Sequence, residues 1–365
     1  MISRWIPSPT LARYTGKMFL WRSLAFLAGL VLILQTLDLL GESGEILKAP
    51  GNGEADLWRY VSLRMPQLIA LFLPFSVLLG ALLTFLTLNQ NSEVVILKSA
   101  GLSPHQILLP MIVVGLAVAA VSFVFNERVL VRAQAEFDVW KENDYRNTPD
   151  GTPKSTQYWV RAGDDLILAG RVEGQGASTV LRDVTVFDRV NDRLRQVVRA
   201  EDAKPAGPSA WRLRDARVFD VAAGRQTRYV TLDLPLTATP AQFTVQSVNA
   251  DHTAFWNLQP AIEALRAAGK PTDQLTAKLY HKITGPLAAA LMPLLGAVAA
   301  FGLARSGKLF LRAVAGLALG FAFFVADNFA MAMGDFGSLP PLAAACAPFL
   351  LFLIVGEAVL MRSEE

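Results

Sequence analysis

Long apolar runs lie near both ends of the chain, and a long segment of mixed polarity separates the two groups. A helix needs about 20 mainly apolar residues to cross the hydrocarbon core of a bilayer. Six runs reach this length, so the pattern predicts six transmembrane helices, three on each side of the mixed segment. The predicted spans are Met18–Leu40, Met65–Leu88, Pro104–Phe125, Ile283–Leu303, Leu309–Met333 and Leu339–Met361.

The mixed segment follows the two-residue period of a half-buried strand. Apolar and polar residues alternate in Trp211–Arg214 and in Tyr229–Leu234. Leu213 and Val230 are candidates for the inward face and Arg212 for the outward face, but the alternation alone leaves open which face is inward. Seven such runs recur between turn residues, as is typical of a sandwich or jelly roll. The predicted strands are Thr156–Arg161, Asp165–Val172, Thr179–Asp188, Arg193–Glu201, Trp211–Asp220, Arg225–Leu234 and Gln242–Val248.

These patterns together predict an α-helical membrane protein of six spans with an inserted all-β, jelly-roll-like domain. Residues 1–126 hold the first three spans, and residues 279–365 hold the last three. Residues 127–278 form the β domain with two flanking helical linkers, Glu127–Tyr145 and Pro260–Gly269.

The distribution of charge supports this division. Of the 34 basic and 31 acidic residues, 41 lie between Glu127 and Lys278. A soluble domain is about 25% charged, whereas the whole chain is 18% charged and 53% hydrophobic, which excludes a purely soluble enzyme. The net charge is +3 and no basic run occurs, so the sequence gives no indication that the chain binds nucleic acid. The single cysteine, Cys346, excludes an intramolecular disulfide and thiolate metal clusters.

Basic residues near the span ends predict the orientation, because cytoplasmic loops carry an excess of Lys and Arg. One side of the membrane holds nine such residues and the other side three. Both termini are therefore expected in the cytoplasm, and the β domain is expected on the far side. The nine are Arg4, Arg13, Lys17, Arg22, Lys98, Arg305, Lys308, Arg312 and Arg362; the three are Lys48, Arg59 and Arg64.

The motifs predict no catalytic, metal or cofactor site. Gly302–Lys308 matches the first seven positions of a phosphate-binding P-loop, but Leu309 stands where Ser or Thr would reach magnesium, and the segment joins two spans. His105, His252 and His281 lie in different regions with no paired spacing. The chain is therefore not expected to hydrolyse ATP itself.

The segment between spans two and three is predicted to form a short amphipathic helix at about 90–100, on the cytoplasmic side. Ser92 stands where a side chain caps a helix, Glu93 follows in the first turn, Lys98 lies near the C-terminus and Gly101 near the end. One interpretation is an ordinary interfacial turn. The other is a coupling helix that sits in the groove of a cytoplasmic motor.

Asp327 lies in the middle of the fifth span beside Asn328. An ionisable group at this depth is costly, and it is a functional candidate for that reason. The alternative is a hydrogen bond between helices inside the bundle.

Several segments resemble the lipopolysaccharide-export permeases of the LptF/LptG family, and the resemblance covers essentially the whole chain. They are Leu11–Lys17 before span one, Leu79–Leu83 in span two and Ser92–Ser103 after it. Tyr158–Arg161 and Phe321–Asn328 are more similar to the LptG branch than to the LptF branch. The Ser-Glu…Ala-Gly-x-Ser pattern of the third segment is the most specific of these.

The resemblance implies one half of an asymmetric permease that extracts lipopolysaccharide from the bacterial inner membrane. Its partners would be an LptF-like paralogous permease, two copies of an LptB-like ATPase, an LptC-like membrane-anchored protein and an LptA-like periplasmic bridge. The β domain would lie in the periplasm. The coupling segment would contact the ATPase, with Glu93 at the position of the family's acidic contact.

The resemblance also implies that lipopolysaccharide enters a cavity lined by spans one, two and five. LptG-type chains often carry lysines at the outer end of span one, whereas here Gln35–Glu42 contains acid instead of base. Either the cations Lys48, Arg59 and Arg64 bind the anionic groups, or the carried glycolipid is less phosphorylated. The candidate substrate contacts are Leu34, Asp38, Arg64, Phe72, Phe324 and Asp327.

Two other functional classes remain open. A membrane-anchored hydrolase needs paired catalytic groups at one depth, and the sequence offers no obvious partner for Asp327. A non-transporting scaffold with an external β-sandwich fits the composition equally well, but it has no need for a coupling segment.

Overall fold

The structure is a computed structural model, and its contacts divide the chain into two compact units. The helical unit comprises Met1–Asn147, Ala250–Gln259 and Pro271–Glu365, and the β unit comprises Thr148–Asn249 and Pro260–Lys270. The structure describes residues 8–146, 158–173, 178–190, 193–207, 210–236, 238–240, 243, 249–267, 270–302 and 309–362.

Four of the predicted spans lie within long helices, and the fourth and sixth overlap long helices except at Leu303, which is outside the described residues, and at Leu339 and Pro340. The helices are α1 (Pro9–Lys48), α2 (Glu54–Gln90), α3 (Glu93–Ser99), α4 (Pro104–Phe125), α5 (Val131–Glu142), α6 (Phe255–Ala267), α7 (Asp273–Gly302), α8 (Leu309–Asp335) and α9 (Pro341–Arg362), and a π-helical turn (Asn126–Leu130) joins α4 to α5.

Among the described residues, five helical stretches are long and apolar enough to cross a membrane. The predicted fourth span begins inside α7, but its last residue, Leu303, lies outside the described residues, as does most of the P-loop-like segment. The count of six spans therefore stays a prediction. The five stretches are Pro9–Lys48, Glu54–Gln90, Pro104–Glu142, Ala313–Asp335 and Pro341–Arg362.

Local side chains explain why α4 begins at its predicted residue. The Ser103 hydroxyl accepts a hydrogen bond from the Gln106 backbone N–H at 3.3 Å, and the Gln106 side chain accepts one from the Ser103 N–H at 2.9 Å. This reciprocal capping box satisfies two of the four unpaired N–H groups at the helix start. Pro104 at the first helical position needs no such bond, since it has no N–H.

Glycine lets the membrane helices approach closely. A Cβ atom on Gly80 of α2 would lie 2.1 Å from the Ser23 Oγ and 2.8 Å from the Ser23 backbone N of α1. Because lipid tails are as apolar as leucine, helices in a bilayer associate through such tight van der Waals contacts between small residues. Other close approaches are Gly16 to Val114, Gly115 to Ala289 and Gly296 to Ala81, where an added Cβ would lie 3.0–3.2 Å away.

The β unit contains a six-stranded antiparallel sheet in which each strand pairs with its neighbour in sequence. Six of the seven predicted strands are present, and the seventh, Gln242–Val248, lies outside the described residues except for Phe243. Closure into a jelly roll therefore stays a prediction. The strands are β1 (Tyr158–Ala162), β2 (Asp165–Glu173), β3 (Val180–Val190), β4 (Arg193–Gly207), β5 (Ala210–Asp220) and β6 (Arg225–Pro235).

Strand β4 differs from the prediction, which ended it at Glu201, because it continues through Pro205 to Gly207. The register with β5 shifts between Pro205 and Gly207. A bulge of this kind is one of the few places in a sheet that tolerate proline, which cannot donate a ladder hydrogen bond.

Two aspartates change which side chains of the sheet face its core. Asp183 of β3 and Asp215 of β5 have left-handed backbones, with φ of 53° and 50°. Leu213 and Ala216, three residues apart, are consequently both fully buried, although strict alternation would bury residues two apart. The inward prediction is confirmed for Leu213, which is 0% exposed, and is wrong for Val230, which is 84% exposed.

We expect Gly80→Ala to destabilise the helical unit by about 1–3 kcal/mol, the usual cost of overpacking. The added methyl group meets backbone atoms of Ser23, which no rotamer change can move. Thermal unfolding of the detergent-purified protein measures the effect as a lower melting temperature. Gly29→Ala is the matched control, since nothing lies within 4 Å of its Cβ position. Equal melting temperatures for the two variants would contradict the proposed contact.

Candidate functional site

The short helix α3 ends as the sequence predicts but begins differently. The N–H of Gly101 donates to the Lys98 carbonyl at 3.0 Å and that of Leu102 to the Leu97 carbonyl at 3.1 Å, with Gly101 at φ +86°. This is the Schellman arrangement, which needs a left-handed residue after the helix. Ser92 occupies the N-cap position without a side-chain capping bond, because its own φ of 59° is left-handed. A capping side chain normally needs an extended backbone.

Two side chains hold the carboxylate of Glu93. The Tyr14 hydroxyl of α1 donates to Glu93 Oε1 at 3.3 Å, and Asn91 Nδ2 donates to the same oxygen at 3.2 Å. The carboxylate is therefore oriented by residues from α1 and from the segment that precedes α3.

The exposed face of α3 is apolar. Val94 is 4% exposed and belongs to the core of the helical unit, whereas Val95 and Ile96 are 66% and 62% exposed. A short helix that presents two aliphatic side chains beside an oriented carboxylate has the character of a protein-contact surface.

A second feature is a cavity of about 390 Å³ inside the helical unit, lined by residues of α2, the π-helical turn, α5, α7 and α8 and by Asp251. It contains the predicted candidates Phe324 and Asp327. The ring of Phe75 lies between those of Phe324 and Phe72, which is also a predicted candidate. Its centroid is 5.1 Å from that of Phe324 and 6.4 Å from that of Phe72. These rings form one apolar part of the cavity region.

Charged pairs form the polar part of the cavity. Lys278 bonds to Asp251 at 2.8 Å, His281 Nε2 lies 3.0 Å from Asp327 Oδ2, and Lys282 bonds to Glu127 at 3.0 Å. Residues 278, 281 and 282 share one face of α7 because they are three and four positions apart. That face of α7 thus contacts three different segments of the helical unit.

Of the six residues in these three pairs, Glu127 is the most deeply buried, with a side chain 1% exposed. It lies in the π-helical turn and also accepts a hydrogen bond from the backbone N–H of Phe255. A buried carboxylate without partners would cost several kcal/mol, roughly 3–5, so its two donors matter. Single π-turns are frequent at functional sites.

The pairing of Asp327 corrects the expectation that it has no histidine partner. His281 is 46 residues away in sequence, so only the packing of α7 on α8 brings the two together. The other histidines are paired as well, His105 with Glu357 at 3.0 Å and His252 with Asp138 at 2.6 Å. The charged residues three and four positions apart at the start of α7 are the signal in the sequence that could have revealed this polar face.

Asp38 and Arg64, both predicted to contact substrate, bind each other. Asp38 Oδ2 accepts hydrogen bonds from Arg64 Nε at 2.8 Å and from the Tyr60 hydroxyl at 2.7 Å. Arg64 also donates to Gln67, and its guanidinium lies 5.6 Å from the ring centre of Phe137. Leu34, the remaining candidate, is half-buried on α1.

The acidic end of α1 is neutralised by the segment around α5. Glu42 accepts hydrogen bonds from Lys141 at 3.0 Å and from the Tyr145 hydroxyl at 2.9 Å. Burial, followed by the bond to Glu42, raises the pKa of Tyr145 above its usual value. Acidic residues thus stand where LptG-type chains often carry lysines. Arg64 and Lys141 of the same chain pair with Asp38 and Glu42.

The Asp38–Arg64 contact predicts non-additive mutations. Asp38→Asn and Arg64→Gln should each lower the melting temperature, and the double variant should lose less than their sum, with a coupling of about 0.5–3 kcal/mol. Asp38→Asn combined with Arg59→Gln is the control, since Arg59 bonds to Glu136 at 2.9 Å instead. Equal coupling in both cycles would show that the Asp38–Arg64 bond carries no specific energy.

Comparison with known proteins agrees with this architecture. The sequence profile of the family described as lipopolysaccharide export system permease LptF/LptG matches residues 13–362. The lipopolysaccharide export system permease protein LptG of Escherichia coli strain K12 is 26% identical over 369 residues, 98% of this chain and 99% of that protein. The protein of the same description from Haemophilus influenzae is 24% identical over 367 residues, with the same coverage. Since the profile runs from α1 to α9, the chain belongs to the LptF/LptG family of lipopolysaccharide export system permeases.

Proposed function

We propose that the chain is a permease subunit of an ABC transporter that extracts lipopolysaccharide from the inner membrane and passes it to a periplasmic bridge. Three observations support this: the family match over residues 13–362, the long apolar helices and the separate β unit. The observation that carries the mechanism is α3, a seven-residue helix between two membrane helices with an outward apolar face.

Helix α3 is the proposed coupling helix. Its exposed Val95 and Ile96 would fill a groove of an LptB-like ATPase, and Glu93 would supply a charged contact at the edge of that groove. Val94 anchors the helix in the core, and Tyr14 ties Glu93 to α1. Movement of the ATPase would thereby reach both α1 and α2.

The remaining partners follow from this assignment. The subunit would pair with an LptF-like permease, bind two copies of the ATPase and work with LptC-like and LptA-like proteins. Both termini and α3 would lie in the cytoplasm, and residues 127–278 would lie in the periplasm. The excess of basic residues near one set of span ends supports this orientation.

The lipid path is proposed to run along α2 and α8. The rings of Phe72, Phe75 and Phe324 offer contact to acyl chains. The polar face of α7 would stabilise the helices around this path, because Lys278, His281 and Lys282 each already contact a carboxylate. Arg64 is bonded to Asp38, so any anionic group that binds Arg64 must compete with that carboxylate.

Transport accounts for these features better than hydrolysis does. The His281–Asp327 pair resembles part of a catalytic group, but no Ser, Thr or Cys side chain lies among the described residues that line the cavity. A scaffold without a transport role would not require the oriented carboxylate and exposed aliphatic face of α3.

Glu93→Lys tests the coupling role directly. The change reverses a charge at the proposed ATPase contact, so we expect export and stimulated ATP hydrolysis to fall at least tenfold while the complex still inserts into the membrane. Reconstituted ATPase and lipopolysaccharide-release assays measure both quantities.

Glu54→Lys is the control for this experiment. Glu54 is also an exposed acid in the first turn of a helix, but it begins α2 and lies far along the chain from α3. The Glu54 variant should export normally. Normal export by the Glu93 variant would disprove the coupling role of α3.

A further inference from the structure

One buried side chain of α1 lacks every hydrogen bond that it can make. Gln35 is 7% exposed, and neither its Nε2 nor its Oε1 has a hydrogen-bond partner among the described residues. A buried amide in this state costs free energy, and the bilayer core offers no water to replace the missing bonds. An unpaired buried group of this kind calls for an explanation.

Gln35 differs from the other residues that carry unpaired buried atoms. In the described part of the chain these are Asn126, Asn143 and Thr284. Asn126 and Thr284 are only half-buried, and the Nδ2 of Asn143 donates to the Val139 carbonyl at 2.9 Å. Of these four residues, Gln35 alone is more than nine-tenths buried with its whole polar group unpaired.

Gln35 lies on the side of α1 that packs against α2. Ser23 of the same buried stripe meets Gly80 of α2, and Asp38, one turn after Gln35, bonds to Arg64 of α2. Side chains three positions apart on a helix are neighbours, and Gln and Asp at such a spacing form hydrogen bonds. Asp38 therefore carries the carboxylate that is nearest to the Gln35 amide along α1.

Two groups of α2 hold this carboxylate in the structure. Arg64 Nε and the Tyr60 hydroxyl both donate to Asp38 Oδ2, at 2.8 Å and 2.7 Å. No described residue donates to Asp38 Oδ1, so this oxygen can accept a further bond. Because α1 and α2 run antiparallel, the step from Arg64 to Tyr60 leads away from the level of Gln35. The two bonds therefore hold the carboxylate on the side away from the amide.

An anion can reach Arg64 but not Gln35. The side chains of Arg64 and Asp38 are 26% and 28% exposed, whereas Gln35 is buried. Arg64 bonds to the carboxylate through Nε alone, whereas a guanidinium binds phosphate through two parallel hydrogen bonds. A phosphate that binds Arg64 in this way leaves Asp38 without its cation, and a carboxylate in that position is costly unless another donor reaches it.

We propose that Gln35 is the reserve donor for Asp38: when a phosphate-bearing glycolipid binds Arg64, the Gln35 amide binds the carboxylate that Arg64 has released. The amide makes this bond only in the lipid-bound state, and an interaction made in one of two states favours that state. Gln35 is thus a positioning residue that does not touch the lipid. This inference rests on the proposed export of lipopolysaccharide.

The first test needs no added lipopolysaccharide. It uses the purified complex in lipid nanodiscs with Gln35→Met, alone and combined with Arg64→Ala, which frees Asp38 permanently. Methionine is unbranched like glutamine and has no amide, so Gln35→Met should raise the melting temperature of the otherwise unsubstituted complex by removing unpaired polar atoms. In the Arg64→Ala complex the same change should lower the melting temperature, because it removes the donor that Asp38 then uses.

Ser23→Ala is the matched control. Ser23 lies on the same stripe of α1 and is 5% exposed, but its hydroxyl donates to the Phe19 carbonyl of its own helix at 3.0 Å. Its effect on the melting temperature should be the same with and without Arg64→Ala. An effect of one sign for Gln35→Met in both complexes would overturn the proposal, since a packing role alone gives that result. A lower melting temperature in the otherwise unsubstituted complex would also overturn it, because the amide would then already have a partner there.

The second test measures equilibrium binding of fluorescently labelled lipopolysaccharide, with enzymatically dephosphorylated material as the second probe. Gln35→Met should weaken binding of lipopolysaccharide about tenfold, which corresponds to about 1.4 kcal/mol, and should leave binding of the dephosphorylated probe unchanged. With Asp38→Asn present, Gln35→Met should have no effect on binding, because no carboxylate remains to be compensated. Equal weakening for both probes would contradict an exchange at Arg64.

The two tests separate this inference from the proposed function. If lipopolysaccharide binds but the melting temperatures show no reversal of sign, the reserve donor alone is rejected. If the unsubstituted complex binds neither probe, lipopolysaccharide is rejected as the substrate of this chain, and the proposed function is rejected with it.

Discussion

The exclusion of water from the bilayer core is the constraint on which the helical unit depends. Without water, every backbone polar group must find its partner inside the protein, and a helix satisfies this need within one segment. The same exclusion removes the hydrophobic force between helices, so their association relies on close contact and polar bonds. A Cβ atom on Gly80 would lie only 2.1 Å from the Ser23 Oγ, which shows how closely α1 and α2 approach each other.

Bonds between polar side chains connect the helices at two places in the helical unit. On α7, each cation faces a carboxylate from another segment, and Glu127 is buried only because Lys282 and the Phe255 N–H both bind it. At the end of α1, Asp38 and Glu42 are matched by Arg64 and Lys141. Both clusters join elements that are distant in sequence, so they hold these helices together.

The β unit works under the opposite condition, since its exposed face meets water. Several arginines there are paired with carboxylates, such as Arg212 with Asp233 and Arg228 with Asp215, and exposed pairs of this kind contribute little stability, typically about 0–1 kcal/mol each. The charged side chains on this face therefore contribute little to the free energy of folding. Like charges also meet in register on this sheet, Arg199 with Arg217 and Arg171 with Arg182.

The sequence alone determined the elements, because helix and strand periods are local properties. It placed α4 at Pro104–Phe125, where a capping box begins the helix, and it placed every observed strand except β4 within about two residues of its observed limits. It also identified Glu93 on a short helix that ends just before Gly101. What it did not provide were partners, because contacts such as His281–Asp327 and Asp38–Arg64 depend on helix packing.

Only the tertiary structure decided how individual residues are used. Ser92 stands where a cap is expected, yet its left-handed backbone removes the capping bond, and Val230 continues an alternating pattern but lies exposed on β6. Arg64 resembles a free phosphate ligand in the sequence and is bonded to Asp38 in the fold. For Val230 and Arg64 the physical reason is the same: a pattern of residue types records which surfaces are apolar, whereas burial and pairing depend on which other segments those surfaces meet.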